Sequence, residues 1–156
     1  SGAILNEVIA AADLLRQDWG MEAEIWSATS FSELARDARE VERWNRLHPG
    51  EARRTSHVET CLGGPRPVVA ATDYVRAYPQ LIAPYLDARL VTLGTDGFGR
   101  SDTRGKLRRF FEVDRFSIVV AALDVLSQRG TVERASVADA MTRYGIDPAR
   151  PAPWTC

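Results

Sequence analysis

The stretch Leu90–Asp114, "LVTLGTDGFGRSDTRGKLRRFFEVD", decides the reading of the fold. An apolar run of strand length enters a loop of glycines and aspartates, and the loop opens onto a basic segment of helical character. Strand, loop and helix in succession are the building unit of α/β proteins, in which helices cover a mostly parallel sheet. The same order is the setting of many phosphate sites, because free amides at a helix start attract anions.

Working outward, Ala88–Gly94 reads as one buried strand, "PVVAAT" at Pro67–Thr72 as another and "AEIWSA" at Ala23–Ala28 as a third. Helices alternate with them. Ala3–Trp19 carries Ile4, Leu5, Val8, Ile9, Ala12 and Leu15 at the spacing of one buried face, and Gly20 stops it. "SFSE" at Ser30–Glu33 reads as a capping box that opens a helix to Leu47, which His48-Pro49-Gly50 ends. Glu51–Ser56 reads as an exposed connection, followed by a short apolar piece through Val58 and Leu62. Asp73–Leu86 reads as a helix capped by Asp73 and broken by Pro79 and Pro84, since an internal proline removes a donor and clashes with the preceding turn.

Beyond the opening loop, Ser101 or Asp102 is the expected cap of the basic helix, and Asp114 caps the next one. That helix, through Phe116, Ile118, Val119, Val120, Leu123 and Leu126, is apolar nearly all round and so belongs in the middle of the fold, with Gly130 as its stop. A last amphipathic helix spans about 132–144. The reading is therefore one α/β domain over 1–145 and a proline-punctuated tail over 146–156. Ser1-Gly2 ahead of a helix with a buried face resembles the end of a strand-to-helix loop, so the first strand is expected to lie outside this sequence.

Composition restricts function. With 20 basic and 21 acidic side chains in 156 residues, the chain lacks the electrostatic footprint of a nucleic-acid or anionic-membrane binder. It also lacks the roughly 20-residue apolar run of a membrane span and a signal peptide, which points to the cytoplasm. Cys61 and Cys156 read as reduced thiols. His48 and His57, the only histidines, have no metal-ligand spacing, and Ser56-His57 sits in no nucleophile elbow.

The loop itself, "GTDGFG" at Gly94–Gly99, matches neither the P-loop nor the dinucleotide fingerprint. Arg100 and Arg104 beside the helix start at Ser101 favour an anion, whereas Asp96 and Asp102 oppose one. The other reading is an interface: Gly97 and Gly99 give the backbone freedom to present Phe98 to a neighbouring apolar pocket. The candidate residues, for contact or for anion binding, are Asp96, Gly97, Phe98, Gly99, Arg100, Ser101 and Arg104. Arg104, Lys106, Arg108 and Arg109 read as a solvated face beside Glu112 and Asp114.

Five segments, "SGAILNEVIAAADLL", "IWSATSFSELARDAREVERWNRLHP", "PVVAATDYVRAYPQLIAPYL", "VTLGTDGFGRSDTRGKLRRFFEVD" and "GIDPARP", together cover almost the whole chain. In this order and spacing they resemble the C-terminal domain of the homodimeric bacterial pyruvate dehydrogenase E1 component. The resemblance implies a transketolase-like C-terminal domain, a three-layer α/β/α structure with a mixed, mostly parallel sheet. It further implies a parent enzyme that decarboxylates pyruvate and acetylates the lipoyl group of its E2 acyltransferase partner. Thiamine diphosphate and magnesium would be held by the N-terminal and middle domains across the dimer, with no ligand or catalytic residue in this chain. This domain would serve assembly and the surroundings of the active site. Two alternatives stand beside it: the small subunit of a split enzyme, paired with a separate large subunit and passing a two-carbon unit to a carrier protein, and a free-standing anion-binding module using the 94–104 loop.

Overall fold

A computed structural model describes residues 2–155. Two parallel strands form the sheet, β1 (Val68–Ala71) and β2 (Leu90–Leu93), registered Val68 to Leu90 through Ala71 to Leu93. The helices are α1 (Leu5–Trp19), α2 (Phe31–Leu47), α3 (His57–Leu62), α4 (Ala77–Gln80), α5 (Arg104–Phe110), α6 (Arg115–Gln128) and α7 (Arg134–Arg143). Helices lie on both faces of the sheet, as the three-layer reading requires. On one face Ala11 and Leu15 of α1, Ile118, Val119 and Leu123 of α6 and Ala140 of α7 pack with Val69, Ala71 and Leu93. On the other, Ala35 and Ala38 of α2, Val58 of α3 and Ile82 pack with Leu90. The central position expected for α6 holds, since it meets α1, α7 and both strands.

Local chemistry explains the boundaries. Asp114 caps α6 by accepting from the Ser117 amide at 2.9 Å and the Ser117 hydroxyl at 2.7 Å, as expected. Gly20, at φ 64°, closes α1 with bonds to Arg16 and Leu15. Ser30 caps α2 through the Glu33 amide, but Glu33 turns to Arg36 and does not return the bond. The reciprocal capping box lies at α3, where Glu59 accepts from the Ser56 amide and Ser56 from the Glu59 amide. Ser56 is 1% exposed, so the segment read as an exposed connection ends inside the fold.

Other expectations need correction. Asp73 caps no helix: α4 begins at Ala77 and runs through Pro79 to Gln80, and a short 3-10 turn at Ala83–Tyr85 carries Pro84, so the segment is broken as expected but between the two prolines, at Leu81 and Ile82. α5 starts at Arg104 with Thr103 in the cap position and no side-chain cap bond, so neither Ser101 nor Asp102 caps it. Residues 23–28 form no strand; Ile25 is 39% and Trp26 49% exposed. A strand needs a ladder beside it, and the space between this segment and β1 is a cavity of about 340 Å³. Ser1 and Cys156 fall outside the described residues, and with them the reading of Cys156 as a reduced thiol; Cys61 is a free thiol.

The basic run on α5 is only half solvated. Arg108 and Arg115 converge on Glu7 of α1: Arg108 Nη1 donates to Oε1 at 2.8 Å, and the Arg115 amide and Nε each donate to Oε2 at 3.0 Å. Arg109 donates to Asp114 at 3.2 Å and to the carbonyls of Tyr144 and Gly145, both at 2.7 Å. These bonds tie α1, α5, α6 and the end of α7 together, leaving Arg104 and Lys106 as the exposed cations of the run.

Candidate functional site

The 94–104 loop leaves the C-terminal end of β2, the end at which open α/β sheets bind ligands. Its base is rigid. The Thr95 amide donates to the Tyr74 carbonyl at 2.9 Å, and the Thr95 hydroxyl to the Asp73 carbonyl at 3.1 Å, joining the exits of β1 and β2. Gly94 is required by this approach: a Cβ there would stand 2.6 Å from the Tyr74 carbonyl oxygen. Asp96 accepts from the Arg76 amide at 3.0 Å and from the Arg76 guanidinium, so it faces the β1 exit and not the loop's interior. Burial raises the Asp96 pKa, but the Arg76 bonds and charge outweigh it and hold the carboxyl below its ordinary range.

The tail seals the other side. Arg150 donates to the carbonyls of Arg109 and Phe110, Pro153 is buried, and the Arg76 guanidinium lies 4.4 Å from the Trp154 ring centroid. Gly97 adopts φ 103°, and a Cβ there would stand 2.9 Å from the Pro153 carbonyl oxygen; Gly99, expected to share that role, stays outside the left-handed region. Residues 146–155 are thus part of the domain's packing and hold the loop from below.

The loop's tip projects. Phe98 is 80% exposed. Arg100 stacks over Phe110 at 4.2 Å. Asp102 accepts from the Thr103 amide at 2.7 Å and pairs with Lys106, so a carboxylate of the loop already occupies the start of α5. Ser101 and Arg104 are exposed. Beneath them lies a cavity of about 480 Å³, bordered by Ile4, Asp73, Arg100, Asp102, Arg104 and Arg108. The structure therefore places Arg100 and Arg104, but not Ser101, at the border of this cavity while drawing Asp96 away toward Arg76. Among the described residues no three His, Cys, Asp or Glu side chains gather as a metal site would need.

Sequence reasoning missed Arg76 and Glu7. Only the "TDY" and "GTDG" turns, each following a buried strand, hinted that the two strand exits would meet. His57, read as a surface residue, is exposed, with its ring 3.6 Å from the Cys61 sulfur.

The parallel sheet with helices on both faces defines the class, an α/β layered domain. Residues 1–114 match the family model described as the transketolase-like TK C-terminal domain, and the chain belongs to that family. Its similarity extends further, to pyruvate dehydrogenase E1 components. It is 55% identical to that of Cupriavidus necator over 98% of this chain and 17% of the relative, and 54% identical to that of Pseudomonas aeruginosa over 100% and 18%. For the Escherichia coli K12 protein the identity is 45% over 94% of this chain and 17% of the relative. The chain thus spans less than a fifth of the length of these relatives. Among the described residues no helix is long and apolar enough to cross a membrane.

Proposed function

We propose that this chain acts as the C-terminal domain of a cytoplasmic, homodimeric pyruvate dehydrogenase E1 component, the enzyme that decarboxylates pyruvate and acetylates the lipoyl group of E2. The observation that carries this reading is similarity over 98% of the chain at 55% identity to a segment making up 17% of an E1 component. Thiamine diphosphate and magnesium are held by the preceding domains, and this domain supplies assembly contacts and part of the active-site surroundings. The geometry supports that division. The 94–104 loop is anchored at both flanks by Thr95, Asp96 and the Pro153–Trp154 turn, while Phe98 stands free, as a contact element between rigid bodies should.

The test is a chimaera in which this chain replaces the matching segment of the Cupriavidus necator E1 component. Dimerisation, followed by light scattering, and pyruvate-dependent acetylation of a lipoyl domain are both expected to be retained. A folded, dimeric chimaera unable to acetylate the lipoyl domain would refute the assignment.

A further inference from the structure

Three contacts of the tail converge on the loop and on the helix that follows it. The Arg150 guanidinium donates to the carbonyls of Arg109 and Phe110 at 3.2 and 3.3 Å, at the C-terminal end of α5, where a helix leaves its last carbonyls short of partners. The same guanidinium stands 5.0 Å from the Phe110 ring centroid, and that of Arg100 stands 4.2 Å from it, so one ring bears a cation from the tail and a cation from the loop. A Cβ on Gly97 would stand 2.9 Å from the Pro153 carbonyl oxygen and 3.0 Å from the Trp154 α-carbon; tail and loop backbones thus pass at a distance that only glycine allows. Trp154 lies over the Arg76 guanidinium, which together with the Arg76 amide holds Asp96.

The loop has little else to hold it. Among the described residues, 97–101 take part in no hydrogen bond. The cavity bordered by Gly97, Gly99 and Arg100 leaves the inner side of the loop without packing. Its glycines lose more backbone freedom on being fixed than any other residue type. A segment with so few bonds and contacts belongs to the least stable part of a fold and opens by itself, so the single conformation seen here depends on what the tail supplies. The tail residues involved lie outside residues 1–114, the span matched by the family model.

We propose that residues 150–154 are a clamp that sets the conformation of the loop at 97–100, with Arg150 and Trp154 as its positioning residues, so that release of the tail frees the loop while the rest of the domain stays folded. With the clamp closed, Phe98 is offered in one fixed geometry. With it open, the loop must be ordered anew at each contact, and the contact weakens by that entropy. This consequence for assembly rests on the reading of Phe98 as a contact element of an E1 component; the clamp itself does not.

The experiment measures backbone order parameters of the isotopically labelled 156-residue chain by NMR, for wild type and for Arg150→Met, Trp154→Ala and Trp154→Tyr. Gly97 and Phe98 are expected near the rigid value of about 0.85 in wild type and below about 0.6 in Arg150→Met and Trp154→Ala, with α6 unchanged. Tyrosine keeps an aromatic face for Arg76, so Trp154→Tyr should restore the wild-type values at both residues. Unchanged order at Gly97 and Phe98 in either of the first two variants, no rescue by tyrosine, or an equal loss of order along α6 overturns the proposal. Because the readout concerns this chain alone, it is independent of whether the chimaeric enzyme is active.

Discussion

Replacing Glu7 by glutamine should separate what holds the domain together from what its surface charges do. The Glu7 side chain is 7% exposed and accepts four bonds, one from Arg108 and three from Arg115, so one carboxylate of α1 fastens the start of α5 and the start of α6. Removing one partner of a buried ion pair costs about 3–5 kcal/mol, because the remaining charge is left without compensation. Here Arg108 would be stranded at 17% exposure, whereas Arg115, at 44%, can turn to water. Glutamine also keeps one acceptor oxygen. A loss of about 2–3 kcal/mol follows, which for a domain of this size lowers Tm by about 5–10 °C. The pH dependence gives a second, sharper readout. Burial raises the Glu7 pKa, but bonds and charge from Arg115 and the charge of Arg108 outweigh it and hold the carboxyl below its ordinary range. The unfolded chain therefore takes up this proton before the folded one does. The stability due to Glu7 is complete above the ordinary glutamate pKa of about 4.3 and is lost as pH falls through the lower folded value. The gap in Tm between wild type and Glu7→Gln, measured by calorimetry, should be full at pH 7 and shrink as pH drops below about 4.3. A variant melting within about 1 °C of wild type at pH 7, or a gap that does not narrow in acid, would refute this account.

Gly94→Ala places a methyl 2.6 Å from the Tyr74 carbonyl, and thermal unfolding should register about 1–3 kcal/mol of lost stability. Phe98→Ala removes an exposed ring and should leave the melting of the chain within about 0.5 kcal/mol, while weakening dimerisation of the chimaeric E1 in sedimentation. Arg76→Met removes the charge that holds the Asp96 carboxyl down, so the carboxyl resonance of Asp96 should titrate at higher pH than in wild type. Tyr144→Phe deletes the hydroxyl that accepts from Trp19 Nε1 at 3.1 Å and donates to Asp18 at 2.8 Å, with an expected cost of about 1 kcal/mol; in wild type the phenol should ionise above the ordinary tyrosine range, mainly through burial.

Local signals in the sequence marked most of the helices. Gly20 and Gly130 both occupy the left-handed region at helix ends, Asp114 caps where a short acceptor precedes an apolar run, and α6, apolar on every side, lies between the sheet and two other helices. These features depend on residues within one turn of each other, so they can be read without knowing the fold. The clamp at Glu7 could not. Its partners lie 101 and 108 residues away, and an acid on the apolar face of a predicted helix looks like any solvated charge until the facing helices are in place. The candidate loop divides the same way. The exposure of Phe98 and the left-handed turn at Gly97 were legible from "DGFG", but the turning of Asp96 toward Arg76 and the packing of Trp154 beneath it depend on long-range contacts.

Residues 23–28 fail for a different physical reason. Ile25 and Trp26 have the β-branched and aromatic character of a buried strand, yet strand formation is a property of a pair, and a segment without a ladder keeps its propensity but not its structure. The space between this run and β1 is a cavity of about 340 Å³, so the segment stands too far from the sheet to join its ladder, and its apolar side chains meet solvent instead, Ile25 at 39% and Trp26 at 49% exposure.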